Sequence, residues 1–167
     1  MMKNKKQLEP NIAEHTFETT IGCFLIKATD EHLVYLDFIS PTKLKATTTL
    51  KHPILKDAEK QLKEFIAGKR TKFDLPLKFE GTDFQNKVWK ELLKIPFGKT
   101  VSYKDLAIKM GGTRFSRAVG GAVGKNPLAV FIPCHRVLAT NGSIGGFSGG
   151  LPMKRKLLAI ENKERAL

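Results

Sequence analysis

Residues 101–124, VSYKDLAIKMGGTRFSRAVGGAVG, decide the architecture of the second half of this chain. Ser102 is a helix-capping residue type just ahead of YKDLAIKM, and Gly111-Gly112 ends that helix. Thr113 is placed to cap the next one, RFSRAVGGAVG. Two short helices separated by a tight glycine turn make a helix-turn-helix pattern. The second helix carries Arg114 and Arg117, then Gly120, Gly121 and Gly124. Each glycine weakens a helix by roughly 1 kcal/mol relative to Ala. That cost points to a close approach to the helix backbone, by a phosphodiester strand or by a tightly packed neighbour.

Outward from this pair, Asp83 is placed to cap a helix running to about Ile95, with Phe84, Val88, Leu92 and Ile95 on one stripe; Pro96 and Gly98 end it. AVFIPC (129–134) reads as a short buried strand. GSIGGFSGG (142–150) reads as a glycine loop, and Pro152 opens a last helix, MKRKLLAIE. In the first half, residues 16–27 and 32–39 read as two strands of a hairpin turning at ATDE. Residues 53–67 put Ile54, Leu55, Ala58, Leu62, Phe65 and Ile66 on one helical face, with Pro53 at its start and Gly68 past its end. KRTKFDLPLKFEGT reads as one strand and a loop. A boundary near Glu80 gives two domains, 1–80 and 81–167.

The balance of charges sharpens this division. Of the 167 residues, 29 are Lys or Arg and 16 Asp or Glu, a net charge of +13. Residues 1–84 hold 14 basic and 12 acidic side chains; residues 85–167 hold 15 and 4. So basic a half points to a polyanion: nucleic acid first, anionic membrane second, with a plain solubility charge as the alternative. Apolar residues make up 41 %, with 11 Phe, enough for a packed core and against global disorder. No apolar run approaches the ~20 residues of a membrane span. MMKNKKQLEP lacks the apolar stretch of a secretory signal. The two cysteines, Cys23 and Cys134, are too few for a disulfide framework or a thiolate zinc cluster. An intracellular, reduced protein is expected.

Chemistry concentrates at Pro133-Cys134-His135-Arg136. A thiolate is a nucleophile, and a neighbouring His can take its proton. Adjacent side chains on an extended chain point to opposite faces, however, so the two meet only if the backbone turns or a water bridges them. The preceding Pro fixes the approach of the chain. The glycine loop that follows suits a pocket rim where a planar ligand lies against backbone. A Cys-His hydrolase would also need an oxyanion hole and an Asn or Asp, for which Asn126 is available. Cys23, His15, His32 and His52 read as ordinary structural residues.

The runs FGKTVSYKDLA, SRAVGGAVGKNP, IPCHRV and GSIGGFSGGLPMKRKLLAIE closely resemble the signature region of the O6-alkylguanine-DNA alkyltransferases. The resemblance covers residues 84–161. It implies an α+β protein: a small N-terminal α/β domain, similar to ribonuclease H, and a helical, winged-helix-like C-terminal domain that binds DNA and accepts the alkyl group. It implies stoichiometric, self-inactivating repair, in which an alkyl group leaves O6-alkylguanine, and also O4-alkylthymine, for a cysteine. Cys134 is then the acceptor and His135 the base acting through water, with Glu161 orienting it. Asn126 braces the turn, and Tyr103 donates a proton to guanine N3. Arg117 fills the gap left by a flipped nucleotide. The helix opening at Thr113 is the recognition helix, with Arg114, Ser116, Ala118, Gly121 and Lys125, together with Arg136, at the DNA. Val137, Phe147, Ser148 and Lys154 belong to the substrate pocket. The implied partner is double-stranded DNA carrying alkylated guanine, bound by a monomer in the cytoplasm or nucleoid, with no membrane, cofactor or metal.

The chain departs from that family's pattern at Phe147, where Tyr is usual. The zinc ligands of some members have no counterpart, and a four-cysteine phosphotriester-repair domain is absent. His135 and Glu161 are expected to raise the thiolate fraction of Cys134. Phe147 is expected to stack on the extruded base, with packing beneath the loop as the competing role. A non-catalytic lesion sensor or regulator with a redox-sensitive Cys134 is the competing class; the presence of the acceptor Cys argues against it.

Overall fold

Three antiparallel strands open the chain: β1 (Ala13–Thr19), β2 (Gly22–Ala28) and β3 (Leu33–Ile39), in the order β1-β2-β3. The computed structural model describes residues 11–46 and 50–162, so the reading of MMKNKKQLEP lies outside them. Residues 16–27 are not one strand. The chain reverses at Thr20-Ile21, with Thr19 paired to Gly22. Two β-branched residues in a two-residue turn hide it from a composition reading. Helix α1 (Pro53–Ile66) covers the sheet with Leu55, Ala58, Leu62 and Phe65 buried. His52 caps it through Nδ1, and His15 hydrogen-bonds to its Glu59 at 2.7 Å. Cys23 is buried in β2.

Residues 69–82 form no regular strand. They touch the sheet through a single bridge, Leu33 to Leu77. Helix α2 (Asp83–Leu93) begins one residue earlier than the Asp83 cap requires. Thr82 is the cap, in a reciprocal box with Gln85. The pair β4 (Val101–Ser102) and β5 (Val137–Leu138) is parallel and two residues long. Between them come α3 (Tyr103–Lys109) and α4 (Ser116–Gly124). Ser102 caps α3 in a box with Asp105. Gly111 (φ +116°) and Gly112 (φ +138°) make the turn in conformations that favour glycine. Thr113 does not cap α4. Residues Thr113–Phe115 form a 3-10 turn, and Ser116 Oγ donates back to the Thr113 carbonyl. Helix α5 (Leu151–Glu161) closes the fold.

The two halves share one buried apolar cluster, running from Phe24 and Ile26 through Phe65 to Leu106, Val119 and Leu157. Leu36 of β3 bridges to Leu128, and Trp89 Nε1 donates to the Ala122 carbonyl at 2.8 Å, tying α2 to α4. Among the described residues no helix is long and apolar enough to cross a membrane.

Candidate active site

Asn126, just beyond α4, clamps the next turn by both ends of its amide. Oδ1 accepts from Leu128 N at 2.9 Å and Nδ2 donates to the Ile132 carbonyl at 2.8 Å. Between them Val130 is held at φ +73°. A β-branched residue there costs on the order of 1–3 kcal/mol and persists only where its surroundings over-determine it. This clamped turn replaces the strand expected at AVFIPC. The apolar run is buried, but a run so short cannot by itself distinguish strand from turn. Pro133 then leads into one 3-10 turn, Cys134–Arg136, so the backbone does turn at the Cys-His pair. The β4–β5 pairing sets Tyr103, the first residue of α3, next to this segment.

His135 is fully buried, and its Nε2 lies 2.6 Å from Glu161 Oε1. Its buried Nδ1 has no hydrogen-bond partner among the described residues. Glu161 takes more than the one bond expected of it. Arg136 Nε donates to both its oxygens, Arg136 Nη2 to Oε1 at 2.8 Å, and Gly98 N to Oε2 at 3.0 Å. Arg136 Nη1 donates to the Ile95 carbonyl at 2.6 Å. Arg136 is therefore a buried partner of Glu161, which corrects its assignment as a DNA contact: its guanidinium is spent inside the protein. No local signal marks this, because an Arg beside an active-site motif in a basic domain reads as a surface cation. Burial pushes the Glu161 carboxyl up, but the bonds from His135 and Arg136 outweigh it and hold it at about 2. Burial lowers His135 against the pull of Glu161, so the imidazole is neutral and Nδ1 is free to accept.

Cys134 is 3 % exposed. Burial raises its thiol, while a hydrogen bond from Asn126 and the charge of Lys154 pull the other way. The expected gain in resting thiolate is therefore reversed: desolvation wins, and the resting group is a thiol. Lys154 is buried, donating Nζ to the Val137 carbonyl at 2.6 Å and to the Gly146 carbonyl at 3.0 Å. Its burial brings it down to about 8, with Cys134 opposing. Burial, then Cys134, raise the Tyr103 phenol, so it remains a proton donor at neutral pH.

A pocket of about 230 Å3 opens onto Cys134. Its lining comes from the start of α3 (Tyr103), from α4 (Gly120, Val123 and Gly124) and from the glycine loop (Gly146, Phe147 and Ser148). Among the described residues nothing lies within 4 Å of where a Cβ would stand at Gly120, Gly121 or Gly124, so no neighbour among them accounts for these glycines. Val137 is buried below the pocket, its carbonyl already engaged by Lys154. Phe147 lines the pocket and also packs edge-on against Phe38, with ring centroids 5.5 Å apart. A larger groove, about 530 Å3, lies between Gly98–Thr100, Leu138 and α5, and contains none of Cys134, His135 and Tyr103. Among the described residues no group of three or more His, Cys, Asp and Glu is set to hold a metal ion.

Thr113, Arg114, Arg117, Ala118, Gly121 and Lys125 are exposed, and Ser116 is half-buried. Arg117, Ala118 and Gly121 follow one another at helical spacing along the outer face of α4, with Arg114 in the turn before it and Lys125 at its C-cap continuing the series. This bare, basic face borders the pocket through Gly120 and Gly124.

Two family models match this chain. Residues 12–79 match a family model described as 6-O-methylguanine DNA methyltransferase, ribonuclease-like domain, and residues 83–163 match its DNA binding domain. A methylated-DNA–protein-cysteine methyltransferase of Methanosarcina barkeri is 41 % identical over 147 residues, 86 % of this chain and 93 % of that protein. One from Mycobacterium tuberculosis is 49 % identical over 106 residues, 64 % of each chain. Among solved structures, an O6-methylguanine methyltransferase of M. tuberculosis superposes with a TM-score of 0.79 at 36 % identity, covering 92 % of this chain and 94 % of that one. The M. tuberculosis protein in complex with DNA gives 0.78 at 37 % identity, with 90 % and 92 % covered.

Proposed function

The chain belongs to the 6-O-methylguanine DNA methyltransferase family, and we propose from that premise the part each residue plays. The protein repairs DNA by moving an alkyl group from guanine O6 to one of its own cysteines, one turnover per molecule. O6 is buried in duplex DNA, so the damaged nucleotide leaves the stack at a cost of a few kcal/mol. The exposed face of α4 holds the backbone, and Arg117 occupies the vacated position. The base enters between the glycines of α4 and the 146–148 loop. Backbone and shape contacts dominate because a lesion occurs in any sequence.

Cys134 Sγ attacks the alkyl carbon. Its proton passes through a water to His135 Nδ1, and Glu161 keeps the imidazole's other proton on Nε2 and stabilises the cation that forms. The S–C bond forms as the C–O6 bond breaks, and the electron pair leaves with guanine. Tyr103 gives guanine a proton at N3, so the base departs neutral. The proton lost by the thiol balances the one gained by guanine, through His135 and Tyr103. Lys154 fixes the floor of the site through the Val137 and Gly146 carbonyls. O4-alkylthymine presents an alkyl carbon on the same kind of exocyclic oxygen and is a second substrate. The protein works as a monomer on DNA inside the cell, residues 81–167 carrying the chemistry and 1–80 the scaffold.

The observation that carries this reading is a buried cysteine facing a pocket, next to a histidine whose far nitrogen is held by Glu161. The test is label transfer from duplex DNA with radiolabelled O6-methylguanine: label reaches this protein and stops at one equivalent per chain. No transfer, with lesion binding intact, would leave the sensor reading standing. Arg117→Ala slows repair of duplex DNA more than reaction with the free alkylguanine base, since only the duplex requires extrusion. An equal loss on both substrates would move Arg117 out of the flipping step.

A further inference from the structure

The outer wall of the substrate pocket rests on the other half of the protein. Phe38, on β3, meets Phe147 edge-on at 5.5 Å. Two residues further on, a Cβ at Gly149 would stand 2.7 and 2.8 Å from carbons of the Phe38 ring and 2.9 Å from Phe147. No side chain fits there, so the loop is pressed directly onto Phe38.

Phe38 has nothing soft behind it. Its ring packs on Phe24 at 5.4 Å, Phe24 on Phe17 at 5.7 Å, and Phe17 on His15 at 5.5 Å. His15 is in turn bonded to Glu59 of α1. This row of rings crosses the sheet and ends against the substrate loop. The loop's exit is held by the same sheet: Lys156 Nζ donates to the Ile21 carbonyl at 3.2 Å, and a Cβ at Gly22 would stand 2.9 Å from Met153 Cε. The facing wall is α4 and the clamped turn at Cys134. Phe147, which shares the pocket with Cys134, is therefore held where Phe38 stops it.

We propose that Phe38 is a specificity-determining positioning residue: it props Phe147 and thereby fixes how large an alkyl group the pocket admits beside Cys134. This rests on the alkyl-transfer reading above and extends it to a residue of the N-terminal sheet that touches neither DNA nor the reacting atoms. Hydrophobic pockets discriminate by size, where each added or removed methylene is worth about 10-fold or more at best. A relaxed prop favours bulky alkyl groups relative to methyl.

The test measures transfer rates from two otherwise identical duplexes, one carrying O6-methylguanine and one O6-benzylguanine, per active molecule counted by its label endpoint. In Phe38→Ala the benzyl-to-methyl rate ratio rises by about threefold or more, a modest fraction of the discrimination a pocket can exert. Phe38→Leu gives a smaller rise and Phe38→Trp a fall. In a Phe147→Ala background, Phe38→Ala changes the ratio no further. A general loss of stability would slow both substrates alike and leave the ratio flat, so a flat ratio in the soluble variants overturns the proposal. So does a shift of equal size in the Phe147→Ala background, because Phe38 would then act by another route. If the unaltered protein moves no label from either duplex, the transfer reading itself has failed, and this one with it.

Discussion

Cys134→Ser abolishes alkyl transfer and leaves DNA binding within about twofold of the unaltered protein, because phosphate contacts carry the affinity. Cys134 is 3 % exposed and lines the pocket, whereas Arg114, Arg117 and Lys125 are exposed on and just beyond the two ends of α4. A serine hydroxyl is smaller and keeps the hydrogen-bonding position beside Asn126, so the clamped turn survives. It is also a much weaker acid than a thiol and, as an oxygen nucleophile, a far poorer one in displacement at a saturated carbon, so transfer is lost even with His135 in place. Label counting and salt-dependent binding to the same methylated duplex measure the two effects separately. A loss of binding that matches the loss of transfer would make Cys134 a structural residue.

Glu161→Gln lowers stability by about 3–5 kcal/mol, because it leaves Arg136 as a buried charge without its partner. For a chain of this size that is a fall in Tm of roughly 6–20 °C. The carboxylate side chain is 2 % exposed and accepts from His135, Arg136 and Gly98, and a neutral amide cannot serve all three. The same variant transfers alkyl slowly at neutral pH and partly recovers in alkali, where the raised thiol ionises without help. The acid limb carries a second signature. The Glu161 carboxyl is held at about 2 in the folded protein against an ordinary 4.5, so its contribution is complete above 4.5 and is lost as pH falls toward 2. In Glu161→Gln that portion of the acid-induced loss is missing. Parallel stability-versus-pH curves for the two proteins, or identical pH–rate profiles, would remove Glu161 from this role.

Helices were the most legible part of the fold. Ser102, Gly111-Gly112, Pro53 and Pro152 mark helix ends by local chemistry that does not depend on distant partners. Strands and turns are less legible, because tertiary context decides them: the stretch 69–82 forms no strand and Thr113 opens a 3-10 turn instead of capping α4. The turn at Thr20-Ile21 carries strand-forming residues, and the run around Val130 is apolar because it is buried, not because it is extended. Chemistry at PCHR was readable as a motif. Its energetics were not: whether Cys134 rests as thiol or thiolate depends on how completely the fold excludes water. Arg136 was misread for the same reason, since nothing local reveals that a carboxylate 25 residues downstream will claim it. Phe38 had no signal at all, because its neighbour Phe147 lies in the other half of the chain.

Glu161 is separated from His135 by 26 residues and closes the last helix. A polypeptide emerging from the ribosome thus presents its nucleophile well before the carboxylate that fixes the base and neutralises Arg136. During that interval His135 lacks the partner of its Nε2 and the Arg136 guanidinium lacks its counter-charge. A chain cut short before α5 is complete therefore carries the acceptor cysteine and the basic face around α4 without the carboxylate that fixes the base.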